Sequence, residues 1–333
     1  MKALLSVTPG GSETLATGDL PEPEATAGKI VVSVHACSIN YPDVLIIEDK
    51  YQFKPPRPFA PGCEIAGTVS AVGSGVEGFA VGDRVIATTG HGGLAERVAV
   101  DAQRVFPLPD GHSFEEGAAL LFTYGTTIHA LVDRGHVREG DNLLVLGAAG
   151  GIGLSAVELG KAFGARVIAA VSSEEKAAAA RAAGADDTVI YPRGPLSREE
   201  SKTLANQFKQ LAGPDGFQLV YDPVGGDYAE PAVRAMGWEG RYLVTGFPAG
   251  IPHLPLNLTL LKSCDICGVF WGAFAARDPK ANRANIQRLM DLWQQRRIAP
   301  RVSETFDFAD AGAAIRKMAE RGAIGKLVVR VGE

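Results

Sequence analysis

The feature that most constrains this chain is a glycine-rich turn between an apolar run and a helical segment. The run Asn142 to Leu146 is predicted as a β-strand, the turn covers residues 147–153 (GAAGGIG), and a helix is predicted after it. In such a unit, glycines let a pyrophosphate approach the backbone, and the helix N-terminus adds positive potential. The turn therefore predicts dinucleotide binding at Gly150, Gly151 and Ile152.

From about residue 124 onwards, apolar runs alternate with helical stretches, which is typical of βαβ units and a parallel sheet. Six strands fit a doubly wound nucleotide-binding sheet. The predicted strands are Asn142 to Leu146, Arg166 to Val171, Asp187 to Tyr191, Gln218 to Asp222, Gly240 to Gly246 and Asp265 to Phe270.

The two ends of the chain have a different pattern of predicted secondary structure. Residues 1 to about 123 consist of short strand-like runs and glycine turns, which indicate an irregular barrel-like sheet. The tail carries two amphipathic helices, from about Pro279 to Arg296 and near Ala309 to Arg321, and a last strand, Lys326 to Val331. Because 333 residues exceed what one hydrophobic core usually organises, two domains with a cleft between them are expected.

The residues after the second predicted strand indicate which dinucleotide is bound. NAD-specific sites usually carry an acidic residue there, but this chain has Ser172 and Ser173, with Lys176 one helical turn later. Ser172 can donate to a 2'-phosphate and Lys176 can supply charge, so NADPH is favoured over NADH. The alternative is that residues 172–175 form only a helix-capping start and that Lys176 is solvated.

Composition excludes some functions. A net charge of -5 without a cluster of Lys and Arg argues against nucleic-acid binding. No apolar stretch reaches membrane-spanning length, and the first residues do not form a signal-peptide core, so a cytoplasmic protein without membrane contact is expected. The four cysteines are too few for a disulfide framework and are predicted to be free thiols.

Several motifs in order carry a family resemblance: residues 38–43 (SINYPD), 61–67 (PGCEIAG), 81–85 (VGDRV), 146–153, and 322–329 with its Gly-Lys pair. Over nearly its whole length the chain resembles the medium-chain dehydrogenase/reductase superfamily, in the zinc-independent quinone oxidoreductase-like branch that includes zeta-crystallin.

The resemblance implies an α/β fold in which a Rossmann doubly wound parallel sheet is inserted into a GroES-like β-rich catalytic domain. Residues 1–123 and 263–333 would form the GroES-like domain, residues 124–262 the Rossmann domain, and the cleft the active site. The resemblance also implies a homodimer or tetramer, often paired through the edge strand, which here corresponds to Asp265 to Phe270.

Zinc-dependent relatives place a Cys and a His as catalytic ligands where this chain has Asn40 and Cys63, and they carry a four-cysteine lobe that is absent here. A makeshift site from Cys37, Cys63 and Glu64 is conceivable, because catalytic zinc needs three protein ligands. The CxxC at residues 264–267 has no partner motif. No metal is therefore predicted.

Without zinc to polarise a carbonyl, hydride transfer to an already activated acceptor remains feasible, and quinones and α,β-unsaturated carbonyls qualify. Tyr51 lies where related quinone and enoyl reductases carry a tyrosine near the nicotinamide, and it is the first candidate for proton donor. The alternative is an exposed loop aromatic. Asn40 is a candidate for orienting the substrate or the nicotinamide. Asp43 is included among the catalytic candidates, and the alternative, which the turn favours, is that it satisfies backbone groups after Pro42.

Further cofactor contacts are assigned by similarity. Thr126 would contact the cofactor phosphate or nicotinamide ribose, and Tyr191 would line the adenosine-phosphate pocket. Tyr41 would lie beside the cofactor. Lys326 would reach the cofactor phosphates, and the alternative is that it is only a solvated strand end. Residues that follow the late strands, at the carboxyl edge where doubly wound sheets bind ligands, are expected to frame the nicotinamide. They are Gly246, Phe247, Phe270, Trp271 and Gly272.

The sequence thus predicts a zinc-independent NADPH-dependent reductase acting on a small-molecule quinone or enone. A short-chain enoyl-CoA reductase is the nearest alternative, because the same chemistry serves. A non-catalytic, crystallin-like NADPH-binding protein is the alternative from another class.

Overall fold

The computed structural model describes residues 1–332. Its strands fall into one large parallel sheet, one large mixed sheet and a small hairpin-like pair. In chain order they are β1 (Lys2–Ser6), β2 (Leu15–Asp19), β3 (Lys29–Ile39), β4 (Glu64–Val72), β5 (Arg84–Thr88), β6 (Arg97–Asp101), β7 (Val105–Pro107), β8 (Asn142–Leu146), β9 (Arg166–Val171), β10 (Asp187–Ile190), β11 (Phe217–Asp222), β12 (Met236–Val244), β13 (Asp265–Gly268), β14 (Val302–Asp307) and β15 (Lys326–Arg330).

Five of the eleven α-helices described within residues 1–332 lie between consecutive strands of the parallel sheet. In chain order they are α1 (Tyr41–Ile47), α2 (Phe114–Ala118), α3 (Leu121–Ile128), α4 (Gly151–Ala162), α5 (Glu174–Ala182), α6 (Arg198–Ala212), α7 (Ala229–Ala235), α8 (Asn257–Lys262), α9 (Trp271–Arg277), α10 (Pro279–Gln294) and α11 (Ala311–Ala319). A π-helical segment, His129–Arg134, continues α3. No helix within residues 1–332 is both long enough and apolar enough to cross a membrane.

The chain divides into two compact units, Met1–Phe122 with the residues from Pro300 onwards, and Thr123–Ala299. The expectation that residues 263–299 belong with the chain ends is wrong. Strand β13 pairs in parallel with β12 and so extends the sheet of the second unit, and α9 and α10 pack against each other in the same unit. Periodicity could not reveal this, because it does not say which sheet a strand joins.

The second unit is built on a six-stranded sheet in the order β10-β9-β8-β11-β12-β13, and every pairing in it is parallel. Its central strands contain continuous apolar runs, such as residues 143–146 and 167–171, because helices cover both faces of such a sheet. Strands β8 and β9 begin and end where the sequence predicts. The predicted doubly wound parallel sheet is confirmed.

The first unit is built on a mixed sheet in the order β14-β15-β3-β4-β5-β7, with β6 also paired to β3. Neighbouring strands are antiparallel except for β14 and β15, which are parallel. Strand β3 is the centre of this sheet, and its inward side chains, such as Ile30, Val32 and Val34, enter the apolar core. The predicted β-rich unit made from both chain ends is therefore present.

Candidate active site

The glycine-rich turn joins β8 to α4. Gly147 has a φ of 60°, which favours glycine, and a Cβ on Gly153 would lie 2.2 Å from the carbonyl oxygen of Gly147. Gly150 is the N-cap of α4, and no described side chain caps this helix. The first-turn N–H groups of Gly151 and Ile152 are therefore left for an anion at the helix N-terminus.

Two adjacent serines follow β9, and the structure gives them different roles. The Ser173 hydroxyl accepts from the Lys176 backbone N–H at 3.3 Å and caps α5. Ser172 Oγ instead lies 3.4 Å from Lys176 Nζ and 3.3 Å from Arg193 Nε. The capping interpretation and the phosphate-pocket interpretation are thus compatible, since each uses its own serine.

The positive charge beside Ser172 has no ion-pair partner among residues 1–332. Neither Lys176 nor Arg193 forms an ion pair with a residue in the described part of the chain, and partial burial together with the nearby Arg193 lowers the pKa of Lys176. Two cations beside a hydroxyl suit a phosphate group. Sequence reasoning missed Arg193. The available signal was its place just after β10, the neighbour of β9 in the sheet.

Tyr191 lies under the glycine-rich turn. It is buried, its ring lies 4.5 Å from that of Tyr228, and it forms a hydrogen bond with the backbone of Gly147. Burial raises the pKa of its phenol, so the hydroxyl stays protonated. Its contact with the turn agrees with a place near the predicted phosphate site.

The residues expected near the nicotinamide differ in exposure. Phe247 and Phe270 are exposed, while Thr126 and Trp271 are buried. The Trp271 indole Nε1 donates to Asn282 Oδ1 at 2.8 Å, and this side chain packs on Gly125 of α3. The indole therefore bonds to and packs against residues of the second unit itself. Gly246 follows β12, and Gly272 lies in the first turn of α9.

Asp222, at the end of β11, is a buried carboxylate that sequence reasoning did not single out. Its buried carboxylate accepts from the backbone N–H groups of Val224 and Gly225, both at 2.8 Å, and from the Tyr242 hydroxyl. Burial raises the pKa of this carboxyl. Asp222 thereby shapes the loop at the carboxyl edge of the sheet. The signal was an apolar strand that ends in Asp-Pro-Val-Gly-Gly.

In the first unit, α1 begins with a reciprocal cap. Asn40 is the N-cap, and Asp43 Oδ2 accepts from the Asn40 backbone N–H at 2.7 Å. Asp43 Oδ1 accepts from the Gly62 N–H at 3.0 Å. Burial raises the pKa of Asp43 to about 6, although these two N–H groups oppose the rise. Both carboxylate oxygens are bound to the backbone, so Asp43 positions α1 and the Gly62 turn.

Tyr51 is half-buried against the apolar core of the first unit. Burial raises the pKa of its phenol, and Cys63 and Asp43 add to the rise, which places these groups near one another. Its hydroxyl makes no hydrogen bond to another residue of the described chain. Tyr51 is therefore an anchored ring with an available hydroxyl, which disfavours the exposed-loop alternative. Tyr41, also half-buried, is the first residue of α1.

The structure gives Lys326 partners other than those predicted. The residue is 3% exposed, and Nζ donates to Asn40 Oδ1 at 2.6 Å and to Glu64 Oε2 at 3.1 Å. The solvated-end alternative is therefore wrong, and the phosphate contact stays a prediction. A buried ammonium needs a charged partner, and Glu64 supplies it.

The side chains around Cys63 do not fit a zinc ion. Burial, reinforced by Asp43 and Glu64, raises the pKa of both Cys37 and Cys63 well above the usual thiol range. Glu64 is engaged by Lys326. Within residues 1–332, no group of three or more His, Cys, Asp or Glu side chains could hold a metal ion.

Comparisons with known proteins agree with this architecture. A family model described as alcohol dehydrogenase GroES-like domain matches residues 26–110, and one described as zinc-binding dehydrogenase matches residues 151–292. Quinone oxidoreductase-like protein 2 of Bos taurus is 35% identical over 303 residues, which are 90% of this chain and 84% of the relative.

Two similar solved structures are complexes with NADPH. A mycobacterial protein has a TM-score of 0.91 and 28% identity, with 99% of this chain and 100% of that chain covered. Escherichia coli quinone oxidoreductase has a TM-score of 0.88 and 26% identity, with the same shares covered. Two matched domain models and a 35% identical relative show that the chain belongs to the medium-chain dehydrogenase/reductase superfamily, in its quinone oxidoreductase-like branch.

Proposed function

We propose that this protein is an NADPH-dependent reductase that transfers a hydride to a quinone or an α,β-unsaturated carbonyl compound without zinc. The observation that carries the proposal is the cluster of Ser172, Lys176 and Arg193, where two cations lack a carboxylate partner at the end of β9. An NAD-specific site would carry an acidic residue there. The NADPH complexes of two related structures support the same cofactor.

The residues present fit NADPH. The N–H groups at Gly151 and Ile152 would hold the pyrophosphate, and the serine and two cations would hold the 2'-phosphate. When bound, the cofactor supplies a hydride from C4 of its nicotinamide. The absence of zinc is part of the proposal, and the engagement of Glu64 by Lys326 supports it.

Tyr51 is proposed to donate a proton to the oxygen of the reduced acceptor. Its raised pKa keeps the phenol protonated at neutral pH, and its hydroxyl has no competing hydrogen bond within residues 1–332. Asn40 and Asp43 act as positioning residues, since their side chains are bound to other groups of the first unit.

Oxidation of NADPH and NADH by metal-free protein, with a benzoquinone, an alkenone and crotonyl-CoA as acceptors, tests this function. Consumption of NADPH with the quinone or alkenone supports it, and a preference for crotonyl-CoA would favour the enoyl-CoA alternative. Tyr51→Phe is expected to lower turnover by about 10²-fold or more while NADPH binding is retained. Full turnover in this variant would exclude Tyr51 as the donor.

A homodimer formed through β13 is proposed as the working assembly. This edge strand pairs only with β12 among the described strands, and it exposes Ile266. Leu256 and Leu260 are also exposed, at 73% and 79%. A second copy that adds its own β13 would pair the open edge. Sedimentation should give a dimer mass, and Ile266→Asp should give a monomer. A monomeric wild-type protein would contradict the assembly.

A further inference from the structure

Three aromatic rings of the first unit lie together in and beside the loop that carries Tyr51. The ring of Phe53 lies 5.8 Å from the His91 imidazole at an interplanar angle of 24°, so these two rings are stacked. The ring of Phe59 lies 5.8 Å from the same imidazole at 73°, which is an edge contact. His91, which follows β5, therefore joins both phenylalanines through ring contacts.

Arg57 fixes the base of this loop. Its guanidinium donates to Asp49 Oδ1 and to the Ile47 carbonyl, both at 2.8 Å, and to Ser6 Oγ at 3.2 Å. Its Cζ also lies 5.4 Å from the centre of the Phe59 ring. The loop is thereby tied to the end of α1 and to the end of β1. A surface that is held in place before a ligand arrives loses less entropy on binding.

The turn that carries His91 is fixed as well. The Gly92 N–H donates to the Ala60 carbonyl at 2.7 Å, and the Gly93 N–H donates to the Gly62 carbonyl at 2.9 Å. These bonds tie the turn to the residues that follow the tyrosine loop. The stacked pair is therefore supported from both of its segments.

The three rings differ in exposure. Phe59 is buried, His91 is half-buried, and Phe53 is 51% exposed. Partial burial lowers the pKa of His91, so its imidazole is uncharged at neutral pH. About half of the Phe53 surface is thus free for a further ring. Stacking on it would add to an existing aromatic arrangement.

Phe53 is close to the proposed proton donor. Two residues of chain span at most about 7 Å, which limits the distance between the Cα atoms of Phe53 and Tyr51. The Tyr51 hydroxyl makes no hydrogen bond to another residue of the described chain. An acceptor that meets this hydroxyl with its carbonyl oxygen and also covers Phe53 needs a second ring beside the one that is reduced. A fused-ring quinone has such a ring, whereas a single-ring quinone and an open-chain enone do not.

We propose that Phe53, stacked on His91, is a specificity-determining residue: it provides an aromatic platform that favours planar fused-ring acceptors over single-ring and open-chain ones. This inference rests on the proposed function, because it names the acceptor class at the site of Tyr51. Stacking discriminates between acceptors, since an added π-face gains contact with the platform only when the acceptor carries one.

The test compares Phe53→Leu, which keeps an apolar side chain and removes the ring, with Phe53→Trp, which keeps a ring. Trp238→Leu is the control, since it removes an exposed aromatic side chain from β12 in the second unit. KM and kcat are measured with 9,10-phenanthrenequinone and with 1,4-benzoquinone. The Kd of phenanthrenequinone is measured on protein loaded with the oxidised cofactor, where no hydride can be transferred, and the Kd of NADPH is measured separately.

We expect Phe53→Leu to raise the KM and Kd for phenanthrenequinone about threefold to tenfold, with the KM for benzoquinone and the Kd for NADPH within about twofold of wild type. Phe53→Trp and the control should match wild type. An equal rise in KM for both quinones would overturn the inference, because a displaced loop affects every acceptor. Unchanged values for phenanthrenequinone in Phe53→Leu would overturn it as well. If the wild-type protein turns over no acceptor, the proposed function fails, and the Kd for phenanthrenequinone still decides whether Phe53 binds a fused ring.

Discussion

Lys326 in the first unit and Lys176 in the second were both predicted to bind phosphate, but the two side chains differ in burial and in the charges around them. Lys326 is buried and paired with Glu64, whereas Lys176 is half-buried beside another cation, Arg193, and has no carboxylate partner in the described chain. A paired buried charge holds its surroundings in place, and an unpaired cluster favours an incoming anion. A lysine in a matching motif therefore indicates its role only when its partners are known.

The largest expected effect concerns Lys326, the buried lysine of the two. Lys326→Met leaves the Glu64 carboxylate buried without its counter-charge, so we expect a loss of about 3–5 kcal/mol in the free energy of unfolding, measured with urea. The exposed pair of Lys317 and Glu304 provides the control, since Lys317→Met should cost at most about 1 kcal/mol. Equal losses in the two variants would show that burial of Lys326 does not increase the contribution of its ion pair to the free energy of unfolding.

The next effect concerns pH. Burial raises the pKa of Asp43 from 3.8 to about 6, so the folded protein retains a proton that the unfolded chain has lost between these values. Stability contributed by the protonated carboxyl is therefore lost as pH rises through this window, by about 3 kcal/mol. In Asp43→Asn, the free energy of unfolding should fall less between about pH 4 and pH 6. Glu77→Gln, at an exposed site, should follow wild type, and an unchanged slope in Asp43→Asn would contradict the prediction.

A smaller effect concerns Lys176 and Arg193, the two cations without an ion-pair partner in the described chain. Lys176→Ala and Arg193→Ala should each weaken NADPH by about 1.5–3 kcal/mol, because each removes a charged hydrogen bond to phosphate. Affinity for NADH, which lacks the 2'-phosphate, should stay unchanged. Calorimetric titration measures both affinities, and Lys202→Ala, at an exposed lysine of α6, is the control. Parallel losses for both cofactors would place the phosphate elsewhere.

The smallest effect separates the two adjacent serines. Ser173→Ala removes the cap of α5 and should lower the free energy of unfolding by about 1 kcal/mol without changing the NADPH/NADH preference. Ser172→Ala should do the reverse, reducing that preference and leaving stability unchanged. Thermal unfolding and cofactor titration on the same two proteins decide this, and identical behaviour of both variants would reject the division of roles.

Much of the second unit could be predicted from the sequence, because its signals are local. Strand β8, the glycine turn and α4 are contiguous, and parallel strands buried on both faces appear as apolar runs. Trp271 was harder to predict. It follows a late strand, as a ligand-framing residue would, but its indole donates to Asn282 of the next helix.

The boundary near residue 263 and the role of Arg193 could not be predicted for a related reason. Whether β13 joins β12 depends on hydrogen bonds between strands, and no pattern within residues 265–268 encodes that partner. Arg193 meets Ser172 only because β10 lies beside β9. Its position just after β10 becomes a signal only once the order of the strands in the sheet is known.

The sequence by itself determined the dinucleotide-binding unit and the absence of an acidic residue after β9, because both depend on residues close together in the chain. The tertiary structure alone decided which charges are paired. Lys326 and Asn40 are separated by 286 positions, and their contact exists only because β15 lies antiparallel to β3 in one sheet. Electrostatic interactions depend on distance in space and on burial, and neither quantity can be read from sequence spacing.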